Sequence, residues 1–63
     1  MNYRIKEFRE KRGLSQAALS RLSGVSRPTI IKLENSDEVT INSKTLEKLA
    51  QALDVSIKSL FLP

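Results

Sequence analysis

Apolar residues along this chain recur at helical rather than alternating spacing, in short groups separated by serines, glycines and a proline. Ile5 and Phe8 stand i,i+3 in a charged segment from about Asn2 to Arg12, with Asn2 as N-cap and Gly13 as a left-handed stop. Ser15 caps a second short helix within "SQAALSRLSG", with Ala18, Leu19 and Leu22 as its apolar stripe and Gly24 as its end. Ser26 caps a third, in which Ile30 and Leu33 face inward and which stops near "ENS". Arg27 is its first residue and Pro28 its second, inside the first turn, where backbone N–H groups have no intrahelical acceptor to lose. The proline therefore starts this helix, while biasing Arg27 away from the helical region.

Residues 35–42, "NSDEVTIN", form a long loop, acidic and then β-branched. Ser43 caps a fourth helix with Glu47 close to the capping-box offset, and Leu46, Leu49, Ala50 and Leu53 form an i,i+3,i+4,i+7 stripe. Asp54 and Val55 make a turn, after which Ser56 caps a last helix containing Ile57, Leu60 and Phe61. The expected fold is all-α, a bundle of five short helices in one domain spanning residues 1–63. Its expected core is Ile5, Phe8, Leu14, Leu19, Val25, Ile30, Leu33, Leu46, Leu49, Ala50, Leu53, Val55, Ile57 and Leu60.

A chain of 63 residues buries only roughly 60% of the surface its unfolded form exposes, so every core side chain counts. There is no cysteine to form a disulfide or a thiolate metal site, and no histidine to serve as general base or metal ligand. Scattered carboxylates are all that remain for catalysis. Hence no catalytic residue, metal or cofactor is expected, and an enzyme is not.

The net charge of +4 is unevenly spread. Residues 1–32 carry eight Lys/Arg against Glu7 and Glu10, while residues 33–63 carry three against five acids. A basic first half suits a polyanionic partner, although an ordinary solvated surface has the same look. No apolar run approaches a membrane span and no hydrophobic stretch follows the basic start, so a soluble cytoplasmic protein is expected, without membrane contact.

The second and third helices are joined by "LSGVS", with Gly24 opening the turn and Val25 closing it, which is the helix-turn-helix arrangement, about residues 15–35. Arg21, Arg27 and Lys32 lie on the pair, with Arg9, Lys11 and Arg12 just before it. Such a helix fits the major groove, its first residues reaching base edges.

The run "GLSQAALSRLSGVSRPTIIKLEN", with "TLEKLAQALDVSIKSL" downstream, resembles the lambdoid repressor and Cro type of helix-turn-helix DNA-binding domain, the Xre family. The similarity covers residues 4 to 62. It implies a compact five-helix bundle of the lambda-repressor-like type, and a sequence-specific double-stranded DNA-binding transcriptional regulator of bacterial or phage origin, associated with the nucleoid when bound. It implies that Arg27, Pro28, Thr29 and Lys32 read bases, with Arg27 bidentate to guanine and Pro28 limited to apolar contact such as a thymine methyl. Gln16 is implied as a phosphate contact, and Arg12, Arg21, Lys44 and Asn42 as further backbone contacts, Asn42 standing where some relatives send a basic side chain to the minor groove. Arg9 and Glu34 stand where relatives form a partly buried ion pair, a structural role.

The sequence departs from the pattern in several ways. Ser20 and Ser23 replace small apolar residues, and their hydroxyls are expected to bond back to the preceding turn. Ile31 lies on a face that is usually polar, as a tolerated exposed side chain, a methyl contact or a partner surface. The acidic "SDE" of the loop should face away from DNA. Dimerisation on a palindromic operator is expected, through Val39, Ile41, Phe61 and Leu62, and the regulator is expected to repress. With every residue spent on the five helices, regulation is expected through concentration, proteolysis or another protein. Two alternatives remain: an antitoxin or restriction-modification controller of the same fold, and a protein-interaction module that has lost DNA binding.

Overall fold

The computed structural model describes residues 3–35 and 41–60. They form α1 (Ile5–Lys11), α2 (Gln16–Ser23), α3 (Arg27–Asn35), α4 (Ser43–Leu53) and α5 (Ile57–Leu60), all helical as expected. Four of the five helices begin where a side-chain oxygen accepts a free N–H of the first turn. Ser15 Oγ accepts from the Ala18 amide at 3.0 Å, Ser26 Oγ from Thr29 at 3.4 Å and Ser56 Oγ from Ser59 at 3.3 Å.

The fourth cap is Asn42 and not Ser43. Its Oδ1 accepts the Thr45 N–H at 2.8 Å, so the helix is capped one residue earlier than expected. Asparagine and serine cap about equally well, and a neighbouring pair leaves sequence alone unable to choose. Glu47 then stands too far into the helix for a capping box. Helix α1 is the exception: it starts at Ile5 after Arg4, without a side-chain cap. The Arg4 amide instead donates to Leu60 O at 2.7 Å, tying the start of α1 to the end of α5. Asn2, the expected cap, lies outside the described residues.

The end of α1 follows the glycine stop expected for it. Gly13 has φ +67°, its N–H donates to Glu10 O and that of Leu14 to Arg9 O, the paired bonds of a Schellman closure. The same pair closes α4, from Asp54 to Gln51 O and from Val55 to Ala50 O, but here the left-handed residue is Asp54, φ +57°. Its side chain costs it that conformation's sterics, which glycine escapes.

Ile5, Leu19, Val25, Ile30, Leu33, Leu46, Leu49, Ala50, Leu53 and Leu60 are buried and form one core. Helix α2 packs on α3 and α4, α1 on the same two, and α5 on α4. Phe8, Leu14, Val55 and Ile57, expected in the core, lie half-buried at its edge together with Tyr3, Ile41 and Ala52. Leu22 is a clear correction: it is 64% exposed. The inward line of α2 runs Leu19–Ser23, an i,i+4 pair, and Leu22 lies about 100° round the helix from Ser23. A serine at an inward position hid that line from hydrophobic periodicity.

Candidate nucleic-acid interface

Gly24 ends α2 at φ +75°, its N–H bonded to Ser20 O, and the chain turns into α3 through buried Val25. Both serines hold that turn. Ser23 Oγ donates to Leu19 O at 2.7 Å, the expected back-bond, and accepts the Val25 N–H at 3.1 Å. Ser20 does not bond back; its Oγ donates forward to Val25 O at 2.7 Å. Both backbone groups of Val25 are thereby satisfied inside a turn too tight for helix or sheet bonds. The angle between α2 and α3 is thus fixed by side chains at positions that read, in sequence, as departures from the pattern.

A second fixture joins α1 to the end of α3. Arg9 Nε and Nη2 donate to Glu34 Oε2 and Oε1 at 2.7 and 3.1 Å, a bidentate pair, and Arg9 Nη1 donates to Leu14 O at 2.7 Å. The two side chains are 11% and 2% exposed. The Glu34 hydrogen bond raises the Arg9 pKa against the desolvation that opposes it, so the guanidinium stays charged. Gln16 Nε2 also donates to Glu34 Oε1, at 3.0 Å. The expected phosphate-binding side chain is therefore already held by the network, with its second N–H left for another acceptor.

Of the remaining cations, Lys6, Lys48 and Lys58 are exposed with no carboxylate partner among the described residues, and the others fall into two sets. On α1 and its flanks Arg4 pairs with Glu7, Lys11 with Glu7 at 3.5 Å, and Arg12 with Asp54 at 3.1 Å. Arg4 and Lys11 also flank the Phe8 ring, at 4.9 and 5.5 Å from its centroid. Arg21, Arg27, Lys32 and Lys44, by contrast, are exposed and have no carboxylate partner among the described residues. The one acid on α2 and α3, Glu34, is buried under Arg9. The helix pair therefore carries three exposed cations with no acid among the described residues to offset them.

At the front of α3, Ser26, Arg27 and Pro28 are exposed, and Thr29 and Ile31 half-buried. Ser26 Oγ and Thr29 Oγ1 lie 2.8 Å apart in a shared hydrogen bond. The Ser-x-x-Thr spacing, akin to a capping box, could have revealed it. Of the expected backbone contacts, Arg12 is engaged with Asp54 and Asn42 commits its Oδ1 to the cap of α4. Ile41, one of the expected dimer contacts, packs half-buried against the core; Val39, Phe61 and Leu62 lie outside the described residues.

A short bracing helix, a clasped glycine turn and a second helix with unpaired cations at its exposed front define a helix-turn-helix protein. The helix-turn-helix family profile matches residues 5–60, and the chain belongs to that family, of the Xre type. It is 32% identical over 57 residues to the transcriptional regulator SinR of Bacillus subtilis, covering 90% of this chain and 51% of SinR. It thus spans about half the length of that relative. An uncharacterized helix-turn-helix transcriptional regulator of Archaeoglobus fulgidus is 36% identical over 62 residues, 98% of this chain and 87% of the relative. The crystal structure of the restriction-modification controller protein C.AhdI from Aeromonas hydrophila superposes with a TM-score of 0.84 at 36% identity, over 92% of this chain and 86% of that one. Among the described residues no helix is long and apolar enough to cross a membrane.

Proposed function

We propose that this protein is a sequence-specific double-stranded DNA-binding transcriptional regulator, acting as a repressor on a palindromic operator bound by two copies. The observation that carries this reading is the charge pattern among the described residues: on α1 and its flanks Lys6 alone lacks a carboxylate, whereas Arg21, Arg27 and Lys32, all the cations of α2 and α3, are unpaired, as is Lys44. Unpaired cations are a cost in self-repulsion that phosphates relieve. In this reading α3 lies in the major groove, with Arg27 bidentate to guanine and Lys32 one turn further along. Gln16 meets a phosphate, as do Arg21 and Lys44. The protein acts by binding and needs no cofactor.

The likeness to a restriction-modification controller supports a second reading with the same chemistry, in which the regulated gene encodes a nuclease. A nuclease gene adjoining the one for this chain would favour it. The test common to both is selection of bound duplexes from a random library at about 0.15 M salt, where non-specific contacts are already weakened. A palindrome supports dimeric reading, and its half-site spacing locates the interface. A single half-site argues against the dimer. Salt-labile binding with no motif would sink the regulator reading in favour of a protein-interaction module.

A further inference from the structure

The residues of α3 that dock deepest in a major groove are those of its first turn, and here that turn is poor in hydrogen-bonding groups. Pro28 is exposed and its side chain has neither donor nor acceptor. Pro28 and Ile31 are i,i+3 neighbours, Pro28 and Lys32 i,i+4, so all three border one outward surface. The hydroxyl of Thr29 is held by Ser26 Oγ, at 2.8 Å, which ties its polar atom to the helix start. Between the guanidinium of Arg27 and the ammonium of Lys32, the helix therefore offers mainly hydrocarbon.

A hydrocarbon surface discriminates among base edges by what it covers. Laid over N7, O6, N4 or N6 it strips water from a polar atom and returns no hydrogen bond, which is unfavourable. Over the C5-methyl group of thymine, the apolar feature of the unmodified major groove, it buries carbon against carbon. Cytosine methylated at C5 displays the same methyl group beside an amine instead of a carbonyl.

We propose that the first turn of α3, through Pro28 with Ile31 at its edge, recognises 5-methylpyrimidines, so that the half-site carries C5-methyl groups beside the base read by Arg27. This rests on the DNA-binding reading above. Its consequence is that thymine and 5-methylcytosine are partly interchangeable at those positions, and that cytosine methylation strengthens binding at a site where C replaces T.

The test uses the full chain and the duplex recovered by selection. Each thymine of the half-site is replaced singly by deoxyuridine, which removes only the methyl group. Affinity should fall about three- to five-fold at each contacted position, as expected for one buried methyl group. Replacing a contacted T·A pair by C·G should weaken binding further, and 5-methylcytosine in its place should recover about three- to five-fold over unmodified cytosine. Pro28→Ala, a substitution that the first turn of a helix accommodates, should flatten the deoxyuridine effect at one position while the thermal melt confirms folding. A defined motif bound equally well with thymine or deoxyuridine throughout overturns the methyl reading alone. Absence of any motif overturns the DNA-binding reading and this one with it.

Discussion

Glu34 is the shared acceptor of Arg9 and Gln16: its Oε1 receives Arg9 Nη2 at 3.1 Å and Gln16 Nε2 at 3.0 Å, while Oε2 receives Arg9 Nε at 2.7 Å. One carboxylate at the end of α3 thus fastens α1 and orients the first residue of α2. This carboxylate joins α1, α2 and α3, in addition to the serine clasp of the α2–α3 turn.

Removing Glu34 alone should be costly, because Arg9 would keep its charge at 11% exposure with only the Leu14 carbonyl beside it. Glu34→Ala is expected to lose about 3–5 kcal/mol if the site stays closed to water. A chain of 63 residues has on the order of 3–9 kcal/mol in total. The variant should therefore melt far below the parent protein. Urea or thermal melts of Glu34→Ala, Arg9→Ala and the double variant check this: the double variant should lose clearly less than the two singles added together. Additive losses would mean that the pair does not act as a pair.

The serine clasp makes a finer prediction. Ser23→Ala removes two hydrogen bonds and leaves the Val25 N–H without a partner in a buried turn, while Ser20→Ala frees only the Val25 carbonyl. An unsatisfied buried group costs about 1–3 kcal/mol, so Ser23→Ala should lower stability by that amount and Ser20→Ala by less. Denaturant melts give the order directly. If Ser20→Ala proved the more damaging, the forward bond to Val25 would be the main clasp.

Two left-handed residues should respond in opposite directions. At Gly24, φ +75°, a Cβ would meet nothing within 4 Å, so the cost of Gly24→Ala is conformational only, about 1–2 kcal/mol. At Asp54, φ +57°, glycine relieves that strain but gives up the exposed Arg12 pair, itself worth about 0–1 kcal/mol. Asp54→Gly should be neutral at low salt and stabilising at high salt, where the pair is screened. Melting both variants at two salt concentrations tests both signs.

The helices and most of the core were legible because capping residues and apolar spacing agree in this chain. Ser15, Gly24, Ser26, Leu46, Leu49 and Leu53 each say the same thing locally and globally. What escaped were places where polar side chains do inward work. Ser23 fills a core-facing position, so periodicity reads the stripe as Ala18, Leu19 and Leu22; Leu19 is buried, but Leu22 proves exposed. The engagement of Gln16 with Glu34 escaped for a related reason: its partner lies 18 residues away, a distance across which local pattern carries no information. The cations were visible in sequence as one basic half, but only the fold separates those already paired from those left open.

The pairing on α1 has a pH signature. The Arg4 hydrogen bond holds the Glu7 carboxyl below its ordinary value of 4.5, with desolvation opposing it and the charges of Arg4 and Lys11 adding to it. A depressed carboxyl contributes stability that is present above the unfolded pKa and lost as pH falls through the folded one. Glu7→Gln should thus melt below the parent protein at neutral pH, and the difference should close as pH falls below 4.5. Because the group is exposed, the difference should be small and shrink with added salt. A difference that grew on acidification would show that Glu7 acts through something other than its charge.

The side chains that the proposed reading assigns to DNA should separate by behaviour. Arg27 is exposed at the front of α3 with no carboxylate to hold it among the described residues, so in the proposed reading a bidentate contact to guanine is open to it, worth about 1–3 kcal/mol of discrimination. Arg27→Ala should therefore abolish the preference for the selected operator over scrambled duplex while leaving much of the non-specific affinity. Lys44→Ala should weaken operator and scrambled duplex alike and reduce the salt slope by about one unit, as loss of a phosphate contact does. Gln16→Ala should also weaken both, but with little change of slope, since a neutral carboxamide displaces no counterion; its melt should shift as well, because Glu34 loses a donor. Titrations of the three variants against both duplexes at several salt concentrations resolve the cases. An Arg27→Ala variant that kept full operator affinity would remove this side chain from the base-reading set and move the specificity to Lys32 and the apolar front of α3.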